Sequence, residues 1–573
     1  MNKHYEQWLN NKDLDQSTID ELIAIKDNEE EIAARFTAPM QFGTAGLRSI
    51  MGAGIGRMNV YTVAQTTQAL AELVIAEGGK DRGVAIAYDS RNNSKLFAET
   101  AASVLAANDV LVYLFDALRP TPELSFAILY HNAIAGINIT ASHNPKEYNG
   151  YKVYWEDGAQ LPPQHATVVS DASAKIDIFG GVKKMCLESA VKEGKIRYIG
   201  SETDEAYLEA VMNTSVSKGI IKEHGDSLNV IFSPFHGAGY KLVPEVLKRA
   251  GLSNLRIVKE QESPDGDFPT VISPNPENKE GFSIAIEMAK ASGSTCELMI
   301  ATDPDGDRVG TVVKDTDGNY IPLTGNMIGA LLLDYIIKGR KLAGTLQENA
   351  CAIKSVVSGN LYTAIAQKNG VLPINVLTGF KYIGEKIDEY SKTGEHQYIL
   401  GYEESYGYLA GGYVRDKDAV GASLLIVEMA SYYKSKGLSI YEALQSLYAE
   451  YGFFGEDVLN VKIGGALPMD IMKDKMSSLR KDTPRSFGDV KVTRLRDYSV
   501  ETITSFVDGS ILPTGLPKAD MLYFELEDGT DVIIRPSGTE PKIKVYILAK
   551  GESKEEISQK CEKYKLEAEK LLK

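Results

Sequence analysis

Two short segments carry most of the chemistry this chain could perform. The first is Thr140-Ala141-Ser142-His143-Asn144-Pro145 and the second is Asp303-Pro304-Asp305-Gly306-Asp307-Arg308. A serine hydroxyl is a weak nucleophile until a neighbour takes its proton and donors hold the group in transfer. His143 and Lys152 are the nearby candidates for the first role. The surroundings match neither Gly-x-Ser-x-Gly nor Ser-x-x-Lys, which argues against acyl transfer. Taken alone, the Ser-His-Asn-Pro string reads more readily as a turn organised by Ser142 and Asn144 ahead of Pro145.

In the second segment Asp303, Asp305 and Asp307 alternate with Pro304 and Gly306, so an extended loop presents three carboxylates on one side. Like charges that close repel unless a cation neutralises them. All-oxygen ligation suits magnesium, which uses few protein carboxylates and leaves room for phosphate oxygens. An EF-hand calcium loop is the alternative, but the rest of its twelve-residue pattern and its terminal glutamate are missing. A solvated acidic turn fits poorly after the apolar run Leu298-Met299-Ile300-Ala301, and Arg308 follows as a ready phosphate ligand.

Both segments leave apolar runs that read as buried strands, Ala135-Gly136-Ile137-Asn138-Ile139 before the serine and Leu298-Met299-Ile300-Ala301 before the carboxylates. Ligands of open α/β sheets bind in the crevice beyond such strand ends. The alternation continues along the chain, with helices expected over 64–77 and 95–107 and strands over 84–87 and 110–115. That is an α/β pattern with largely parallel sheets. After Tyr451-Gly452 it turns β-rich, and a final helix begins beyond Ser553, with Glu556 three residues on. Trp8, Leu9, Leu14, Ile19, Leu22 and Ile23 have roughly helical spacing, so an N-terminal helical segment is expected to pack on the first domain.

Further motifs recur along the chain, those at 401–407 and 535–542 directly after apolar strands. They are Phe42-Gly43-Thr44-Ala45-Gly46-Leu47-Arg48, Thr378-Gly379-Phe380-Lys381, Gly401-Tyr402-Glu403-Glu404-Ser405-Tyr406-Gly407 and Arg535-Pro536-Ser537-Gly538-Thr539-Glu540-Pro541-Lys542. The last offers a guanidinium fork, two hydroxyls and backbone N–H groups in a glycine-containing turn, a phosphate cradle on what is otherwise a plain hairpin. Taken together and in this order, the motifs resemble the α-D-phosphohexomutase superfamily of phosphoglucomutases and phosphomannomutases.

The resemblance implies three similar α/β domains with mainly parallel mixed sheets plus a C-terminal α+β domain, with the active site at the four-domain junction. It places boundaries at 1–205, 206–322, 323–453 and 454–573. Ser142 would carry a phosphoryl group, with Mg2+ bridging it to Asp303, Asp305 and Asp307. Arg48, Arg308, Lys152 and His143 would serve the transfer, Lys152 by assisting proton movement. Glu403 and Ser405 would hold sugar hydroxyls, helped by Lys381, Arg415 and Lys417. Arg535, Ser537, Gly538 and Thr539 would hold the phosphate that does not react. The implied activity interconverts α-glucose 1-phosphate and glucose 6-phosphate, with glucose 1,6-bisphosphate as activator and intermediate. A phosphopentomutase, a phosphomannomutase, a bisphosphate synthase or a non-catalytic sugar-phosphate sensor are the alternatives. One departure stands out: many relatives place a histidine soon after the Glu-Glu-Ser or Glu-x-Ser motif, whereas residues 406–413 contain none. Ser233-Pro234-Phe235-His236 and Tyr88-Asp89-Ser90-Arg91 read as structural loops, the second bracing the serine loop.

At 573 residues the chain needs several cores. A net charge of −16 argues against nucleic acid or an anionic membrane as partner. Cys186, Cys296, Cys351 and Cys561 are scattered without metal-like spacing and indicate reduced thiols. No apolar run approaches a membrane span, so a cytoplasmic protein is expected; the resemblance implies a small phosphosugar as partner, and a monomer or weak homodimer is expected.

Overall fold

The computed structural model describes residues 2–43, 46–293, 296–464, 468–537 and 542–572. Two compact units emerge. The first comprises Met1–Thr324, Gly384–Gly394 and Ser405–Ser439, and the second Gly325–Ile383, Glu395–Glu404 and Ile440–Lys573.

The first unit holds two mixed sheets. One contains β1 (Gly46–Ile50), β2 (Val84–Tyr88), β3 (Val112–Phe115), β4 (Ala135–Ile139), β5 (Tyr148–Trp155) and β6 (Ile196–Ile199), in the order β1-β5-β4-β2-β3-β6. Its centre is parallel, β2 pairing with both β3 and β4, while β4-β5-β1 is antiparallel. Every residue of β2 and β4 is buried, as covering helices on both faces require. The second sheet contains β7 (Val230–Ser233), β8 (Leu255–Ile257), β9 (Leu298–Thr302), β10 (Val309–Lys314) and β11 (Tyr320–Leu323), in the order β11-β10-β9-β7-β8. Here β7 runs parallel to β8 and β9, and β9-β10-β11 is antiparallel.

Caps decide where the elements start and stop. The helix expected over 64–77 begins earlier, at Val60, because Asn59 accepts from the Tyr61 and Thr62 amides and Thr62 Oγ1 returns a bond to the Asn59 N–H. The strand expected over 110–115 begins late, at Val112. Asp109 turns left-handed at φ 58°, and the Val110 and Asp109 amides cap the preceding helix on the Leu105 and Ala106 carbonyls.

In the second unit, β12 (Ala350–Ser355) lies between β13 (Leu372–Val376) and β14 (Gln397–Glu403), all parallel. The short β15 (Gly407–Leu409) belongs to the first unit, as does helix Ala419–Ser435, which packs on helix Gly239–Arg249. The remainder is an antiparallel sheet of β16 (Phe453–Lys462), β17 (Ser486–Phe487), β18 (Val490–Asp497), β19 (Thr502–Ser505), β20 (Ile511–Pro513), β21 (Leu522–Leu526), β22 (Asp531–Pro536) and β23 (Lys542–Gly551). Its order is β16-β23-β22-β21-β18-β19-β20, with β17 on β18. The closing helix Lys554–Leu572 has the expected cap: Ser553 Oγ accepts from the Glu556 amide. Glu556 Oε2, however, returns to Glu552 N–H rather than to Ser553. No helix among the described residues is long and apolar enough to cross a membrane.

Candidate active site

Ser142 follows β4 by three residues and adopts φ 53°, a left-handed conformation that costs a non-glycine residue about 1 kcal/mol or more. Several bonds hold it there. Thr140 Oγ1 accepts from the Ser142 amide at 2.8 Å. The Arg91 guanidinium donates to the carbonyls of Ser142 at 2.6 Å, Pro145 at 2.9 Å and Tyr148 at 3.0 Å. Arg91 is itself buried against Asp89, whose carboxylate also accepts from the Arg91 amide and Ser94 Oγ. The loop after β2 therefore braces the serine loop, the role its sequence suggested.

The acidic loop joins β9 to β10, and its shape differs from the extended one expected. It is a tight turn wound around Asp303, whose Oδ1 accepts from the Asp307 and Arg308 amides at 3.1 Å each and whose carbonyl accepts from Gly306 N–H at 3.0 Å. Gly306 takes φ 62° to allow it. A turn brings the carboxylates together as well as an extended loop would: ligand atoms of Asp303, Asp305 and Asp307 lie within 4.8 Å of one another, all buried.

The serine and the triad meet. Ser142 Oγ is 2.9 Å from Asp303 Oδ2 and 3.1 Å from His143 Nδ1. Lys152, on β5 opposite Asn138, donates to Asp305 Oδ2 at 2.7 Å, and Thr121 Oγ1 donates to the same oxygen at 3.0 Å. Lys417 Nζ bridges Asp307 Oδ2 at 3.1 Å and Asp416 Oδ1 at 2.9 Å. Arg308 reaches Glu277 at 3.3 Å and stands 3.7 Å from Asp307. Arg48, on β1 opposite Gly150, donates to Asn144 Oδ1 at 3.2 Å.

The electrostatics are those of a cation site. Burial, then the charges of Asp305 and Asp307, push the Asp303 carboxyl well above the usual carboxylate range. Burial and Asp305 likewise raise Asp307, with Lys417 pulling the other way. Burial opposes the charge of Asp305 too, but Lys152 and hydrogen bonds hold it below its ordinary value. His143 is kept neutral by burial and by the Arg308 and Arg48 charges. Asp305 Oδ1 and Asp307 Oδ1 are buried without a hydrogen-bond partner among the described residues. Orphaned anionic oxygens of this kind suit a small hard cation with oxygen ligands, which the donor set fits.

The other expected residues are distributed as follows. Tyr406, next to Ser405, accepts at its carbonyl from Val309 N–H on β10, placing Ser405 beside the strand that leaves the acidic turn. Arg415 is buried and donates to its own loop at the Gly412 and Val414 carbonyls. Tyr413, in the stretch that lacks a histidine, donates to Asp418. In the second unit, Glu403 Oε1 accepts from Gly379 N–H at 2.7 Å, and Lys381 Nζ lies 5.0 Å from the Tyr382 ring centroid. Arg535 and Ser537 line a cavity of about 510 Å³ together with Thr378, Tyr382 and Lys473. Gly538 and Thr539 lie outside the described residues. His236 has both ring nitrogens engaged, by the Ser263 carbonyl and Thr270 Oγ1, and is structural as expected. The sequence reading missed Thr121, whose Arg119-Pro120-Thr121 loop after β3 repeats the strand-then-polar-loop scheme. It also placed Lys417 only among sugar contacts, whereas its amine faces Asp307.

Models of four domains match this chain in order: phosphoglucomutase/phosphomannomutase alpha/beta/alpha domain I over 39–178, domain II over 205–318, domain III over 324–451 and the C-terminal domain over 489–562. A Staphylococcus epidermidis protein named phosphoglucomutase is 37% identical over 553 residues, covering 96% of this chain and 97% of that protein. Parafusin, a phosphoglucomutase from Paramecium solved in an open form, shares the fold at a TM-score of 0.67 and 17% identity, covering 93% and 96% of the two chains. Aspergillus fumigatus N-acetylphosphoglucosamine mutase, solved with GlcNAc-6P and magnesium, does so at 0.53 and 13% identity, covering 94% and 97%. The chain belongs to the phosphoglucomutase/phosphomannomutase family. It is thus an enzyme of the phosphotransferring isomerase class, built from three mixed-sheet α/β domains and a C-terminal antiparallel domain.

Proposed function

We propose that the chain is a phosphoglucomutase interconverting α-glucose 1-phosphate and glucose 6-phosphate through phospho-Ser142 and a glucose 1,6-bisphosphate intermediate. The observation that carries this reading is the placement of Ser142 Oγ 2.9 Å from the first of three converging, buried carboxylates. Asp303, Asp305 and Asp307 would hold Mg2+ together with an oxygen on Ser142. Bound there, the ion supplies charge neutralisation for the phosphoryl oxygens.

The side chains account for the rest. In the forward direction the phosphoryl bond to Ser142 Oγ breaks as a bond to a glucose hydroxyl oxygen forms; that hydroxyl gives up its proton and the departing Ser142 Oγ takes one up. Lys152 is assigned to assist that proton movement, and Arg48 and Arg308 to hold the phosphoryl oxygens in line. In the return step the bond between the other phosphate and its sugar oxygen breaks as a bond to Ser142 Oγ forms; the Oγ proton passes to a neighbour and the sugar oxygen takes one up. His143 Nδ1 is 3.1 Å away on a ring that burial keeps neutral, and it accepts the Oγ proton in the tautomer that carries its own on Nε2. Glu403 and Ser405 are assigned to sugar hydroxyls, with Lys381, Arg415 and Lys417 supporting. Arg535, Ser537, Gly538 and Thr539 are assigned to the phosphate at rest. The proposal includes domains at 1–205, 206–322, 323–453 and 454–573, and a cytoplasmic monomer or weak homodimer.

The test is magnesium-dependent turnover of glucose 1-phosphate, mannose 1-phosphate and ribose 1-phosphate, each primed with a trace of glucose 1,6-bisphosphate. Dominant glucose turnover is expected. Dominant ribose or mannose turnover would overturn the substrate assignment, and no turnover of any would overturn the reading itself.

A further inference from the structure

The match to the first family domain begins at residue 39, yet the preceding segment is folded. Helices Lys3–Leu9, Gln16–Ala24 and Glu29–Phe36 bury Tyr5, Trp8, Leu22 and Phe36 in one cluster with Tyr61. The Trp8 ring meets Phe36, Tyr61 and Phe179 edge-on at 5.4–5.8 Å between centroids. This aromatic packing fixes the segment against the first domain.

Where the segment lands is informative. It clasps the turn over 51–58 that joins β1 to helix Val60–Ala76. Glu21 Oε2 accepts from Ala53 N–H at 3.0 Å, while Oε1 pairs with the Arg35 guanidinium. The Arg35 carbonyl accepts from Gly56 N–H at 2.9 Å, and the Ile55 carbonyl from Met40 N–H at 3.0 Å. The fit is close enough that a Cβ on Gly52 would lie 2.7 Å from Glu21 Oε1, and one on Gly54 2.8 Å from the Arg35 carbonyl.

The other side of the same turn is tied to the serine loop. Ser49 Oγ donates to the Gly56 carbonyl at 2.9 Å, and Met51 N–H donates to the Glu147 carbonyl at 2.8 Å. Strand β1 then runs against β5 with Arg48 opposite Gly150 and Gly46 opposite Lys152, and Arg48 bonds Asn144. A one-residue slip of β1 would turn Arg48 to the opposite face of the sheet.

We propose that Glu21 is a positioning residue: through the Ala53 amide it fixes the register of β1 and thereby holds Arg48 beside the serine loop. The proposal rests on the reading of Arg48 as a ligand of the transferred phosphoryl group. Loss of the Glu21 carboxylate leaves Arg35 paired with Glu31 at 2.9 Å, and 37% of the Glu21 side chain is exposed, so the fold should survive.

The experiment compares full-length wild type, Glu21→Ala, Glu21→Asp and Glu21→Gln in glucose 1-phosphate turnover and in hydrogen exchange over 46–58 and 144–152. Glu21→Ala is expected to lower kcat/KM about 10-fold and speed exchange in both stretches, since small misplacements of positioning groups are costly. Glu21→Gln keeps an oxygen for the Ala53 amide and should restore both. Glu21→Asp, which withdraws the carboxylate by one methylene, should fall between and decides the matter if the alanine variant does not fold. Wild-type exchange at 144–152 with unchanged kcat/KM in the alanine or aspartate variant would overturn the proposal. An inactive wild type would instead count against the proposed function, and the exchange data alone would then decide the role of Glu21.

Discussion

Ser142 Oγ donates to Asp303 Oδ2 at 2.9 Å although the two residues are 161 positions apart. The candidate nucleophile therefore already occupies the position from which a phosphate would face the three carboxylates. Ser142→Ala is therefore expected to abolish turnover, by about 10³-fold or more, while leaving the melting temperature within a few degrees of wild type. Parallel kinetics and calorimetry check both halves of that statement.

Removing a charge from the triad should separate stability from function. With no cation to neutralise them, Asp303, Asp305 and Asp307 repel in a buried setting. Asp307→Asn is expected to raise the melting temperature in chelator and to lose the added stability that magnesium confers on wild type. A variant less stable than wild type in chelator would contradict the account of the turn.

Arg91 should matter through the shape of the serine loop. Arg91→Lys keeps the charge next to Asp89 but cannot reach the Ser142, Pro145 and Tyr148 carbonyls together. The expected cost is about 2–4 kcal/mol of stability, with kcat falling more than KM rises. Denaturant melts and steady-state kinetics would measure both.

The second unit should carry a pH dependence of its own. Burial pushes Glu456 up to about 7 against the pull of Lys354, and pushes Asp531 up to about 6. Carboxyls raised in the folded state contribute stability that is full below their unfolded values, about pH 4, and is lost as pH rises through about 6 to 7. Lys354, lowered to about 8 by burial, acts in another window: its effect is a gain in stability as pH rises from about 8 towards 10. Glu456→Gln should remove part of the first decline, so the melting temperature of the variant relative to wild type should climb between about pH 5 and pH 8. A difference that stays constant over that range would exclude Glu456 as the source.

The legible and illegible parts of this chain divide along physical lines. Strands β4 and β9 were readable because both faces are buried, which writes an unbroken apolar run into the sequence. The acidic residues were readable by composition, but not the turn they form; Gly306 was the signal for a left-handed position, and the wrap of Asp303 Oδ1 around its own loop leaves no local trace. The contacts of Thr121 with Asp305 and of Lys417 with Asp307 join residues 184 and 110 positions apart. Nothing in their immediate neighbours records those partners. The N-terminal helical spacing was visible as well, whereas its grip on the 51–58 turn rests on the Glu21 carboxylate and on backbone bonds from Gly56 and Met40, which leave no pattern in the sequence.

The most direct test of the central claim is to incubate the purified chain with magnesium and glucose 1,6-bisphosphate and locate the transferred phosphoryl group by peptide mass spectrometry. One phosphoryl group is expected on Ser142, absent from Ser142→Ala and lost again on adding glucose 6-phosphate. Phosphorylation at another residue, or a group on Ser142 that no sugar phosphate removes, would contradict it.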